Sequence, residues 1–456
     1  MSTQIFMVST LYGTATLAAA LDSGCFAPAD RRILLVSNNA VTPETTPSVD
    51  EMPGFERLRS RFDDVVSWNE AVFPFHPGGW EPRPDDVPMW ERYLRLAWGI
   101  GDDDVALAVE SIQVNPALGV AQIFTDAPVT VYADGLMSYG PTRNKIDPLV
   151  GTRVERLLHL DLVPGLRPLL LTEFGVASEV VPTPAFTKVL AELVDTGAAL
   201  PDVEEPALLL GQYLSALRIL SAEEEEDLHV RMLKGVVELG HTRVLFKPHP
   251  TAPARFTRTL EREAERLGAD LTVLDTPVLA EVLYQRMRPA VVVGCFSTAL
   301  LTASELYGLP VARVGTDTLL KRLTPYENSN RIPVTIVHAL LPAPDDRAAV
   351  AERRGSMETE ALADLVRAVG FAMQPKILPE LRDETERYLS TRLDEGTWRY
   401  FTKKRLTSLG LPGGVPAQLG FLPRNATVRR VARKARSLRR AVARRRAAPL
   451  PPVNSE

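Results

Sequence analysis

From Ala207 to Val314 the chain repeats one pattern. Short apolar runs at Ala207–Leu210, Thr242–Phe246, Leu271–Leu274, Ala290–Val293 and Pro310–Val314 alternate with segments of helical periodicity. Runs this short and this continuous read as strands buried on both faces. Parallel strands need long crossovers, and helices supply them. The predicted helices are Ser221–Leu239, Arg255–Leu267, Val278–Arg286 and Thr298–Tyr307. Ser221, with Glu224 three places on, is the signature of a capping box at the start of the first helix. Five strands joined by four crossovers predict a doubly wound α/β sheet.

The first half carries a looser version of the same alternation. Gln4–Ser9, Arg32–Ser37, Asp64–Trp68, Val105–Val109 and Val129–Tyr132 read as strands, and Gly13–Leu21, Phe55–Phe62 and Met89–Trp98 as helices. A chain of 456 residues is too long for one ordinary core and suits two domains of roughly 200 residues each. The predicted organisation is α/β, with one Rossmann-like domain at 1–200, a weakly structured linker near Asp195–Pro206, and a second such domain at 206–376. A helical segment at 377–420 is expected to pack across both, followed by a basic tail at 421–456, helical or disordered.

Composition excludes several classes. The first residues lack a basic leader, and no apolar run approaches the ~18 residues of a membrane span. Cys25 and Cys295 are the only cysteines and offer no disulfide framework; both read as small core residues. A soluble, cytoplasmic protein is the expectation. The net charge of -5 hides an uneven distribution, because the stretch Phe421–Ala447 holds 11 Arg or Lys and no acid. Val428, Val431, Ala435, Leu438 and Val442 fall on one helical face, with Arg429, Arg433, Arg436, Arg440 and Arg444 beside it. Such an arm fits anionic lipid or a polyanionic glycan. Aromatic residues do not interleave with the arginines, so nucleic acid is not the expected partner.

Three short segments follow predicted strands, and ligands of open α/β sheets bind at the carboxyl ends of strands. In Lys247-Pro248-His249-Pro250 two prolines fix the backbone around His249, whose imidazole can donate to or protonate a phosphate oxygen. A plain turn is the other reading, and Phe75-His76-Pro77 shows that a His-Pro pair recurs in this chain. In Gly294-Cys295-Phe296-Ser297-Thr298 the hydroxyls open a helix whose N–H groups attract anions; an ordinary N-cap also accounts for them. In Tyr132-Ala133-Asp134-Gly135, Asp134 can take a proton and Gly135 allows close approach, or the pair is a simple Asp-Gly turn.

Taken in order, the three segments resemble the motifs of bacterial sialyltransferases, in the wording of the alpha-2,8-polysialyltransferase-like family. Ser9-Thr10-Leu11-Tyr12-Gly13, Gln113-Val114-Asn115-Pro116 and Tyr132–Arg143 support the resemblance, which spans about residues 3–315. It implies a GT-B glycosyltransferase with a cleft between its two halves, the first on the acceptor side and the second holding the nucleotide sugar. It implies inverting transfer of sialic acid from CMP-sialic acid to a glycan hydroxyl, with Asp134 as base and His249 on the leaving phosphate. Lys247, Pro250, Glu281, Ser297 and Thr298 would hold the donor. Thr10, Tyr12, Gly13, Gln113, Asn115, Gly135 and Arg143 would line the acceptor side or the cleft. No metal and no cofactor are implied. The acidic clusters Asp85-Asp86 and Asp102-Asp103-Asp104 read as solvated turns. Ala133 stands where the family carries a further acid. Two other readings use the same residues. Lys-x-His-Pro also occurs in CDP-polyol phosphotransferases of cell-wall polymer synthesis, and Ala133 fits a degenerate, non-catalytic glycan-binding relative.

Overall fold

The structure is a computed structural model describing residues 1–415 apart from 134, 195–199, 250–251, 253–254, 275 and 353–356. Asp134, Pro250 and the basic stretch Arg429–Arg446 therefore lie outside the described residues. Met1–Tyr400 forms one compact unit and Phe401–Glu456 a second. Described residues of the second unit include the helix Lys403–Leu409, capped by the Thr402 side chain and ended by Gly410 at φ 67°.

The first unit contains two wholly parallel sheets. One has seven strands in the order β3-β2-β1-β4-β5-β6-β7. These are β1 Ser2–Val8, β2 Arg31–Val36, β3 Asp64–Ser67, β4 Asp104–Val109, β5 Val129–Ala133, β6 Val154–Leu160 and β7 Ala177–Val181. The other has five strands in the order β10-β9-β8-β11-β12. These are β8 Ala207–Leu210, β9 Arg243–Lys247, β10 Asp270–Val273, β11 Val291–Gly294 and β12 Val311–Arg313. Helices cover both faces, so central strands bury consecutive residues. Ile5, Phe6, Met7 and Val8 are each at most 1% exposed.

Two strands differ from the sequence expectation, which ended the first sheet at β5. β6, next to the edge, carries Glu155 and Arg156 after Val154, and the edge strand β7 is exposed along most of its length. Charge on an edge strand blunts its unpaired backbone and erases the apolar signature. Cys295 is a core residue as expected, whereas Cys25 is only partly buried. The expected capping box forms, with the Ser221 hydroxyl accepting from Glu224 N and the Glu224 carboxylate accepting from Ser221 N.

Strand order sets the location of the site. Each sheet reverses direction of winding beside its first strand, between β1 and β4 in one and between β8 and β11 in the other. Crevices open at such switch points, at the carboxyl ends of the strands. Ser9 and Glu110 follow β1 and β4. Gly211-Gln212-Tyr213 and Cys295–Thr298 follow β8 and β11.

Candidate active site

In the second sheet the loops after β8, β9 and β11 pack together. Gly211 N donates to Lys247 O at 2.9 Å. A Cβ on Gly211 would lie 3.0 Å from the Phe246 ring and 3.2 Å from that carbonyl, so the approach needs glycine. Lys247 is half-buried at the end of β9, and the His249 side chain remains open to solvent. The Tyr213 ring stands 6.3 Å from the His249 ring. Crowding by surrounding protein, and then the charge of Lys247, hold His249 below its ordinary pKa. An anion bound beside it would reverse that bias.

After β11, the Gln212 side chain accepts from Phe296 N at 3.0 Å. Ser297 caps the helix Thr298–Tyr307, accepting from Ala299 N at 3.3 Å. The first turn of this ten-residue helix thus starts beside the loop after β8, which also carries Tyr213. Glu281, on the helix Ala280–Met287, is 2% exposed rather than on the helix surface. Its carboxylate accepts from Thr302 Oγ1 at 2.6 Å. Burial raises its pKa, opposed by the Thr302 hydroxyl and the nearby Lys247 charge. Glu281 thus backs Lys247 from within the fold.

The first half meets this cluster at Gly135. Oγ1 of Thr298 would lie 3.0 Å from a Cβ placed on Gly135, and it stands 3.5 Å from Leu136 N. Gly135 is extended, with φ -146° and ψ -176°, so space rather than backbone freedom selects glycine there. Asp134, between Ala133 and Gly135 in sequence, lies outside the described residues.

The remaining acceptor-side residues hold loops. Thr10 caps the helix Leu11–Asp22 through Gly13 N at 2.9 Å, and Gly13 is buried. Tyr12 packs edge-on against Phe186. The Gln113 side chain accepts from Arg143 N at 2.5 Å and Asn144 N at 3.3 Å. Asn115 precedes a cis peptide with Pro116, and its buried Oδ1 has no hydrogen-bond partner among the described residues. Arg143 ties the halves together, donating to Ser329 Oγ at 3.0 Å while its carbonyl accepts from Gln374 Nε2 at 3.1 Å. His76 is structural. Its ring meets Ala40 O at 2.8 Å and accepts from Gly78 N at 3.2 Å.

Glu110, Gln212 and Tyr213 were not singled out from sequence. Glu110 directly follows β4, and Gln212 and Tyr213 lie two and three residues past β8, so the switch-point rule would have found them once the strand order was known. Among the described residues no group of three His, Cys, Asp or Glu is placed to hold a metal.

A model of the alpha-2,8-polysialyltransferase family matches residues 4–316. The chain belongs to that family. It is therefore a glycosyltransferase, and its paired parallel sheets are the GT-B arrangement. Similar solved structures include a sialyltransferase GT-B domain from Photobacterium damselae, at 11% identity, covering 74% of this chain and 96% of that one, with TM-score 0.38. A 2,6-sialyltransferase of Photobacterium sp. JT-ISH-224, in complex with CMP and lactose, is 12% identical, with coverage of 74% and 75% and TM-score 0.41. The UDP-GlcNAc 2-epimerase of Methanocaldococcus jannaschii is 13% identical, with coverage of 79% and 94% and TM-score 0.43. No curated protein matches the sequence.

Proposed function

We propose that this polysialyltransferase-family member transfers sialic acid from CMP-sialic acid to a glycan hydroxyl, with inversion. The observation that carries the reading is the approach of Gly135 to Thr298, which joins the acidic segment of one half to the hydroxyl segment of the other. In the reaction the bond between the sugar's anomeric carbon and the CMP phosphate oxygen breaks. The acceptor oxygen forms the new bond from the opposite face. Asp134 takes the acceptor proton. Lys247, His249, Ser297 and the first turn of the helix Thr298–Tyr307 offset the charge gathering on the departing phosphate. His249 can also protonate it, because a phosphate dianion beside the ring restores the proton that Lys247 disfavours. Pro250 belongs to the His249 segment and keeps its backbone fixed by its ring. Glu281 offsets part of the desolvation that lowers the pKa of Lys247. Lys247 and the first turn of the helix Thr298–Tyr307, with His249 once a phosphate dianion binds, support transfer that needs no divalent cation.

Among the described residues no helix is long and apolar enough to cross a membrane. By charge, Arg429–Arg446 is the part of the chain suited to an anionic membrane or a growing polyanionic glycan. Loss of co-sedimentation with anionic vesicles at low salt, on deletion after Leu422, is the check on the membrane alternative.

The donor is tested by a thermal-shift panel of CMP, CDP, UDP and GDP in EDTA. A ligand at 100 times its dissociation constant stabilises by about 2.7 kcal/mol. CMP alone should raise the melting temperature. Preference for CDP would move the protein to the polyol phosphotransferases, and a strict need for Mg²⁺ or Mn²⁺ would overturn the charge argument.

A further inference from the structure

The sequence lacks an acid at position 133, yet the same strand edge has a carboxylate one strand away. β4 and β5 pair in parallel, with Val109 opposite Val131. Glu110 is the next residue after β4, so it comes level with Tyr132, directly before Ala133. It is half-buried at the carboxyl end of the sheet. Among the described residues two hydroxyls reach it. Ser9 Oγ, just past β1, donates to Glu110 Oε1. Tyr132 Oη donates to Met7 O at 2.8 Å and stands 3.3 Å from Glu110 Oε2. Tyr132 itself is fully buried, so its hydroxyl is a fixed post. The Ser9 and Tyr132 hydroxyls, one beside each oxygen, fix the plane of the carboxylate.

We propose that Glu110 binds a hydroxyl of the acceptor glycan and thereby orients the acceptor at the switch point between β1 and β4. The inference rests on the donor lying at His249, Ser297 and Thr298, as proposed above, because the acceptor must then approach from the first half. A carboxylate makes a strong, charge-assisted hydrogen bond to a sugar hydroxyl. Proton removal is assigned to Asp134, as proposed above, and binding to Glu110. It also repels anionic groups, so an acidic acceptor must turn its hydroxyls toward this edge and its own carboxylates away. Glu110 thus replaces, for binding, the acid that Ala133 does not supply.

The test uses full-length protein, CMP-sialic acid and a fluorescently labelled α-2,8-linked sialic acid trimer as acceptor. Glu110→Gln keeps the shape and removes the charge. The expected result is a rise of tenfold or more in the KM for the trimer. The KM for CMP-sialic acid and the pH profile of kcat should stay where they are in the unmodified protein. Tyr132→Phe removes one of the two hydroxyls holding the carboxylate, and should raise the acceptor KM in the same direction but less. An unchanged acceptor KM in Glu110→Gln overturns the inference. So does a collapse of kcat with acceptor KM unchanged, which would make Glu110 the base. Loss of the CMP-induced thermal shift in Glu110→Gln would make it a structural residue and overturn the inference as well. If the unmodified protein binds CMP but does not elongate the trimer, the acceptor assignment falls. If it shows neither, the donor reading has failed first, and the two failures are thereby told apart.

Discussion

Gly135 and Thr298 approach so closely that a Cβ on the glycine would lie 3.0 Å from the threonine hydroxyl. The residues are 163 positions apart, one just past β5 of the first sheet and the other opening the helix after β11 of the second. Gly135→Ala leaves an allowed backbone, since φ is -146°. Its added methyl must push Thr298 aside, and overpacking of this kind costs about 1–3 kcal/mol. The expected outcome is a fall of roughly tenfold in kcat/KM, the equivalent of about 1.4 kcal/mol. Steady-state kinetics with CMP-sialic acid check it, and an unaltered kcat/KM would show that the contact has no part in transfer.

Asp134→Asn preserves size and removes basicity. General-base loss is expected to lower turnover by about 10²–10⁴, with CMP affinity retained. Single-turnover transfer rates alongside calorimetric CMP titration measure both quantities. Full turnover in the variant would place the base elsewhere.

His249→Ala removes the ring that stands beside Tyr213 and Lys247. Loss of a charge-assisted bond to the CMP phosphate should weaken binding by about 1.5–3 kcal/mol. Calorimetry on both proteins decides the matter, and equal affinities would remove His249 from the donor site.

His229 gives a prediction about stability. It lies on the helix Ala222–Glu238 between the Phe246 and Phe256 rings, at centroid distances of 5.1 and 6.0 Å. Both ring nitrogens are buried without hydrogen-bond partners among the described residues. Burial pushes its pKa down from 6.5 to about 4. The folded state therefore keeps the ring neutral where the unfolded chain already binds a proton. Stability from this group is complete above pH 6.5 and is lost as pH falls toward 4. The full loss amounts to roughly 3 kcal/mol, at 1.36 kcal/mol per pKa unit. Denaturant melts of the native protein and His229→Leu, compared at pH 7 and pH 4.5, should show a markedly smaller drop in the variant. Parallel drops would mean that His229 does not titrate with unfolding.

Sequence alone determined the alternation of strands and helices, the helix caps and the segments that follow the strands. These are local properties. A run such as Val291–Val293 announces a buried strand through its own side chains, and Ser221 with Glu224 announces a cap within four residues. β6 and the edge strand β7 escaped because Glu155 and Arg156 interrupt the first and Ser178 and Glu179 the second, so neither shows a continuous apolar run. The tertiary structure decided the order of strands, which depends on pairing between segments far apart in the chain. That order, and not any motif, brings Glu110 beside Tyr132 and Ser9, and Gln212 beside Phe296. It also decided the burial of Glu281, whose helix face is set by what packs on it rather than by its own periodicity. Gly135 shows both levels at once. Its sequence marks a place where a chain can pass closely, and only the fold names Thr298 as the group that does.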